Sequence, residues 1–217
     1  MQNKITVSGV IAVYPKCCIM KNIYLLLITA LFALSASSQS EQFNYPDAFY
    51  FVKEIKVTGL TERPFHIEIT VKENPADSLS KPRIYAVQVR KGKEDIIGKT
   101  MVYATVTNGD WKTYSINGIT DKQATRIWFY AAVNGNGDFY FDKLMYSIAD
   151  ANCTLQEMDI SNQSFEDKKL LNGYFISASP SKNLQVKASA VANDGKQSLE
   201  VIVTGQKPAG LRAVVKN

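Results

Sequence analysis

Cysteine and histidine are scarce in this chain and helical periodicity is missing; each shortage closes a class of function. Three cysteines occur in 217 residues, and two of them, Cys17 and Cys18, lie ahead of an apolar run. Once a leader is removed only Cys153 remains, which excludes a disulfide within the mature chain and leaves stability to packing. The single histidine, His66, rules out paired histidine metal ligands. It sits on the polar face of its strand, where nothing suggests a Ser/His/Asp relay. No phosphate-cradling glycine loop and no nucleophile elbow occur. No window of helical length repeats every 3.6 residues, so the chain reads as all-β and noncatalytic.

The only long apolar stretch is N-terminal. Met20-Lys21-Asn22 precedes residues 23–36, apolar apart from Thr29 and Ser35, and then Ser37-Ser38-Gln39. A charged start, a run too short to span a bilayer and small residues at Ala36 and Ser38 describe a signal peptide over 20–38, cleaved before Gln39. Residues 1–19 are then an upstream extension. The expected product is secreted or periplasmic, within the cell envelope, with no membrane span after cleavage. The formal charge of +5 includes Lys4, Lys16 and Lys21; without them 22 basic residues face 20 acidic ones, a net +2. That ordinary balance argues against nucleic acid and against an anionic membrane.

What the sequence has in abundance is alternation. Phe49, Phe51, Ile55 and Val57 share a face on which Lys53 is the exception. Phe65, Ile67, Ile69 and Val71 alternate with His66, Glu68, Thr70 and Lys72; Tyr85, Val87 and Val89 share a face, and residues 100–107 read as a strand with Val102, Ala104 and Val106 together. Asn108-Gly109-Asp110 turns the chain into Trp111. Ile127, Phe129, Ala131 and Val133 then oppose Arg126, Trp128, Tyr130 and Ala132, and Asn134-Gly135-Asn136-Gly137 allows a hairpin. Phe139 and Phe141 stand on one parity and Leu144, Tyr146 and Ile148 on the other, so a bulge is required near Asp142-Lys143 if the apolar face is to stay inward. Residues 149–156 read as a linker. Alternation returns at Leu184, Val186, Ala188 and Ala190, a turn at residues 193–196, and Leu199, Val201 and Val203. Short strands at this spacing predict an antiparallel sandwich.

Trp111-Lys112-Thr113-Tyr114, the strand after it, the glycine-rich turn and Phe139-Tyr140-Phe141-Asp142 resemble the closing half of galactose-binding-like jelly-roll β-sandwich modules. That group includes carbohydrate-binding modules of secreted bacterial hydrolases, and similar modules precede peptidase-type domains. Asn162-Gln163-Ser164-Phe165-Glu166 and Asp194-Gly195-Lys196-Gln197-Ser198-Leu199 resemble the opening half. A closing half thus precedes an opening half. Either 43–150 is one sandwich, joined by a linker over 151–161 to an incomplete second module over 162–217 and continued in a longer hydrolase, or the later half folds back to complete a permuted single sandwich. The tandem is the working expectation; packing of Leu199, Val201 and Val203 with the strand at 65–71 selects the alternative.

The resemblance implies a glycan-binding accessory module with poly- or oligosaccharide as ligand and an adjacent hydrolase domain as a possible partner. Its aromatic platform would comprise Trp128 and Tyr130, extended by Tyr85, Tyr103 and Tyr114, whose faces can stack on sugar rings; the plain alternative is core aromatics. Trp111 is expected to be structural, at the family's core position. Asp142 and Glu166 match acidic positions that hold structural calcium in related modules, although Lys143 replaces the second acid, and a bulge and a turn acid are the plain alternative. Residues 134–138 superficially suit a calcium loop but fail, with Phe139 where glycine is needed and Met145 where the bidentate acid belongs. A rival function is a structural or protein-docking spacer with no glycan binding. A small independent hydrolase is the other.

Overall fold

A computed structural model describes residues 47–57, 62–90, 96–101, 104–177 and 180–207. The expected signal peptide over 20–38 and the expected upstream extension over 1–19 lie outside these residues, as does Tyr103. The architecture below belongs to one compact unit, Gln42–Asp150 with Thr154–Asn217.

Among the described residues every regular element is a strand. In chain order they are β1 (Asp47–Lys56), β2 (Pro64–Pro75), β3 (Lys81–Arg90), β4 (Ile96–Met101), β5 (Ala104–Asn108), β6 (Trp111–Ile119), β7 (Ala124–Asn134) and β8 (Gly137–Ala149). After these come β9 (Leu155–Glu157), β10 (Tyr174–Ile176), β11 (Leu184–Ser189) and β12 (Ser198–Val203). The first sheet runs β10-β1-β7-β3-β4. The second runs β11-β12-β8-β2-β6-β5, with β9 also on β8. All strand pairs are antiparallel. The chain is a β-sandwich, as the alternation predicted.

The sheets pack through their apolar faces. Phe49, Phe51 and Ile55 of β1 and Ile127, Phe129 and Ala131 of β7 meet Ile67, Ile69 and Val71 of β2 and Phe139, Phe141 and Leu144 of β8 in one buried cluster. A fully buried phenylalanine side chain contributes roughly 1.5–3 kcal/mol by removal from water, so these residues dominate the choice of face. The parity switch in β8 is made at Lys143. Glu68 pairs with Met145 and Thr70 with Asp142, so one residue of β2 opposes two of β8. Lys143 adopts φ 51°, which re-aims the strand so that Phe141 and Leu144 both reach the core.

Three expectations require correction. Residues 134–137 turn the chain, with Gly135 and Gly137 at positive φ, but they do not close a hairpin. β7 and β8 lie in different sheets. Ile127 and Phe129 need to face Phe139 and Phe141 across the core, and strands paired side by side do not achieve that. Residues 100–107 are not one strand; β4 belongs to the first sheet and β5 to the second. Val106, on the outermost strand, is 65 % exposed. Trp111 stands on the parity opposite Ile116, is half-buried and does not join the core.

The tandem expectation is overturned as well. β12 pairs with β8, placing Leu199 opposite Phe141 and Val201 opposite Phe139. Leu199, Val201 and Val203 belong to the same cluster as Phe65, Ile67, Ile69 and Val71. β10 extends the first sheet at β1, and β9 at residues 155–157 pairs with β8 within the expected linker. The segment therefore completes the first sandwich rather than starting a second. An apolar face on β8 and free edges on β1 and β8 would otherwise be left to solvent. With β12 in place, β1-β7-β3-β4 faces β12-β8-β2-β6, and β1 to β2, β2 to β3, β6 to β7 and β7 to β8 each cross between sheets. That wound connectivity is jelly-roll-like.

Cys153, expected to stand alone in a mature chain, is disulfide-bonded.

Candidate functional site

The outer face of the first sheet carries the aromatic residues. On β7, alternation sends Ile127 and Phe129 inward and leaves Trp128 and Tyr130 half-buried on the opposite face. Tyr85 of β3 lies directly across from Tyr130. Their rings stack at 4.7 Å between centroids with 6° between planes. Tyr50 of β1 approaches Tyr130 from the other side at 6.0 Å and 52°. Three tyrosines thus form a row across β1, β7 and β3. Burial pushes the Tyr85 phenol up to about 12, helped by neighbouring Tyr130 and Asp47, so it stays protonated at any physiological pH.

Trp128 is fixed by its edge. Its Nε1 donates to Glu54 Oε2 at 3.2 Å, and the Arg126 guanidinium reaches the same oxygen at 3.2 Å while lying 5.8 Å from the indole centre. The alternating strand positions of β1 and β7 generate this triad, because Glu54 sits opposite Trp128. In the stacked Tyr85–Tyr130 pair each ring covers one face of the other. Trp128 is the ring whose orientation is set by polar anchors instead of by another aromatic ring.

The other proposed platform residue does not come to this face. Tyr114 of β6 belongs to the second sheet and packs against the core cluster. Its hydroxyl donates to Glu73, which also receives Lys112 Nζ at 2.8 Å. Burial and the Glu73 carboxylate both hold the Tyr114 phenol well above its usual range. Tyr103 lies outside the described residues. Tyr50, by contrast, is a member that sequence reasoning missed. Its signal was present: it alternates with Phe49 and Phe51, whose apolar parity fixes Tyr50 outward.

Asp142 and Glu166, the candidate calcium ligands, are brought to one turn, at residues 193–197, but in a role other than metal binding. Asp142 Oδ2 accepts the backbone N–H groups of Asn193 at 2.7 Å and Asp194 at 2.9 Å, and Oδ1 accepts that of Lys143 at 2.8 Å. Glu166 Oε1 accepts Lys196 N–H at 2.6 Å and Gln197 N–H at 3.0 Å. Oxygens surrounded by donors are poor calcium ligands, because the ion needs six to eight oxygen lone pairs directed at it. Among the described residues no group of three or more His, Cys, Asp or Glu side chains suits a metal. Burial pushes the Asp142 carboxyl up, against the lowering effect of its three N–H partners.

No protein-family profile, curated protein or solved structure matches the chain. The site is therefore read from its own geometry.

His66 is tied into a cross-strand polar chain on the outer face of the second sheet. Its Nδ1 lies 2.7 Å from Asn117 Oδ1 and its Nε2 2.8 Å from Glu68 Oε1, which also accepts Ser115 Oγ at 3.1 Å. Glu68 intervenes between the serine and the histidine, so the imidazole has no path to the hydroxyl proton and the set is not a nucleophilic relay. Among the described residues no helix is long and apolar enough to cross a membrane.

Proposed function

We propose that this chain is an exported, noncatalytic accessory module, galactose-binding-like in kind, that binds glycan through the outer face of its first sheet. The observation that carries the reading is Trp128: a half-buried indole on a sheet face, oriented by Glu54 and Arg126. A ring held in this way keeps its direction without a ligand, which lowers the ordering cost of stacking against the C–H face of a sugar. Tyr50, Tyr130 and Tyr85 continue the aromatic row. Glu54 and Arg126 add an acceptor and a donor beside it for hydroxyl groups. The leader-like N-terminus supports a secreted or periplasmic setting, where polysaccharides are encountered, and an adjacent hydrolase domain is the partner such a module would serve.

A glycan array followed by calorimetric titration of the best hit tests the reading. Trp128→Ala is expected to weaken binding at least tenfold while leaving the fold intact. An array with no signal, or an affinity unchanged by Trp128→Ala, removes the site.

One observation favours a second reading, a protein-docking spacer. β10 is an edge strand of three residues on which Phe175 is 65 % exposed and Ile176 46 % exposed. An apolar edge of this kind suits contact with a neighbouring domain. Phe175→Asp abolishing association with that domain, with a silent glycan array, would select the spacer.

A further inference from the structure

A cavity of about 330 Å³ opens between β1 and the segment that follows β9, lined among others by Lys53, Ile55, Tyr146, Met158 and Ile160. It begins where the cover over β1 stops. β10 pairs with Phe51, Val52 and Lys53 only, so residues 54–56 have a strand partner on the β7 side alone among the described residues.

Two polar groups on its wall have incomplete chemistry. Lys53 occupies the inward parity of β1 and is 3 % exposed. Its ammonium donates to Ser161 O at 2.6 Å and Ser161 Oγ at 3.1 Å, and it lies 4.3 Å over the Tyr174 ring. These partners are all neutral; Asp167 acts on it only through space, and burial pulls its pKa down. Tyr146 is 1 % exposed and its hydroxyl has no hydrogen-bond partner among the described residues. Burial pushes that phenol up to about 12, so it remains a donor. A buried cation among neutral groups gains most from a counter-anion, and an orphaned buried donor gains from any acceptor. A single carboxylate supplies both.

We propose that this cavity binds a small organic carboxylate, its head between Lys53 and Tyr146 and its aliphatic body against Ile55, Met158 and Ile160. Besides Lys53 the cavity wall carries Lys56 and two carboxylates, Glu54 and Asp159; that surplus of acid over Lys56 disfavours a second negative charge on the ligand and selects a monoanion over a phosphate or a dicarboxylate. The volume lies at the lower end of the range for small-molecule sites, consistent with a single short acid. The residues used differ from the aromatic row on the outer face, so the glycan reading and this one stand or fall separately.

The test is an NMR titration of the ¹⁵N-labelled protein with 4-methylpentanoate, and with 4-methylpentanamide as its uncharged counterpart. The acid is expected to give saturable shifts at the amides of Lys53, Ile55, Tyr146 and Ile160, and the amide to bind at least tenfold more weakly. Lys53→Met and Tyr146→Phe, which nearly conserve volume, are each expected to weaken the acid at least fivefold, with spectral dispersion reporting the fold. If one variant does not fold, the other carries the comparison, and the acid-to-amide ratio in the parent protein needs neither. Equal binding of acid and amide, an affinity indifferent to the folded variants, or no saturable shift at these amides overturns the proposal; the last outcome identifies a hydration pocket.

Discussion

Residues 47–149 and residues 154–207 share one core but are held in it by different means. In the first region long strands, ten to thirteen residues in β1, β2, β3, β7 and β8, place apolar side chains inward through ladder register alone. In the second, β9 and β10 have three residues each, and side chains take over the task of satisfying the backbone. Asn162 is the centre of one such knot: Nδ2 donates to Leu170 O at 2.8 Å and Oδ1 accepts Asp167 N–H at 3.0 Å. Its carbonyl accepts the Tyr174 hydroxyl at 3.1 Å. Leu144, just past the bulge, donates to Gln163 O at 2.8 Å, which ties the loop to β8. Repetition holds the first region and the β11–β12 ladder, whereas residues 155–176 depend on single side-chain contacts.

That contrast is open to direct tests. Phe51 joins the regions, packing edge-on against Phe141 of the first and against Phe165 and Tyr174 of the second. Phe51→Ala is expected to cost about 3–5 kcal/mol in urea unfolding, through one cooperative transition; two separated transitions would show that the regions are not mutually dependent. Asp142→Ala removes the buried acceptor of the Asn193, Asp194 and Lys143 N–H groups; these residues are themselves exposed, so water takes over part of the task and the expected loss is about 1–2 kcal/mol. Hydrogen exchange should locate the damage, with protection lost at residues 193–194 and kept at residues 65–71.

The same carboxyl predicts a pH dependence. Because its folded-state pKa is raised, its contribution to stability is greatest below its unfolded value and declines as pH rises through the folded value. The stability advantage of the parent over Asp142→Asn should therefore shrink as pH rises from the acid side toward neutrality. An advantage that grows instead would mean that the three N–H donors outweigh burial. Gly195→Ala comes next. Gly195 has φ +72°, and an added Cβ would collide with the Glu166 carboxylate that holds the turn, whereas Gly109 at φ +61° has open space around it. The expected cost is about 1–2 kcal/mol at Gly195 and roughly 1 kcal/mol at Gly109. The smallest effect belongs to Lys143→Gly, expected to change stability by under about 1 kcal/mol, because relief of φ 51° offsets the added freedom of the unfolded chain.

The two regions also differed in how readable they were. Alternation disclosed β1, β2, β7 and β12 and even the bulge at Lys143, because a period of two leaves a trace at every second residue. It could not disclose which sheet a strand joins, so residues 134–137 read as a hairpin and residues 100–107 as one strand. At the candidate site, the outward direction of Trp128 and Tyr130 follows from the inward direction of Ile127 and Phe129. Tyr114 was misplaced because its sheet, rather than its parity, decides its neighbours. The roles of Asp142 and Glu166 depend on N–H groups 30 to 52 positions away in the chain, and no local pattern records such partners. Lys53 looked like an interruption in an apolar face, since nothing nearby in the chain announces the Ser161 carbonyl or the Tyr174 ring.

The seat of β12 beside β8 has a consequence for the order of events during synthesis. β8 emerges about fifty residues before the strand that covers its far side, so a nascent chain displays an incomplete sheet for the whole of that interval, and at roughly 5–20 residues per second this lasts several seconds. Closure waits for residues 198–203, and until they arrive the edge of β8 at residues 137–141 is open to a foreign strand.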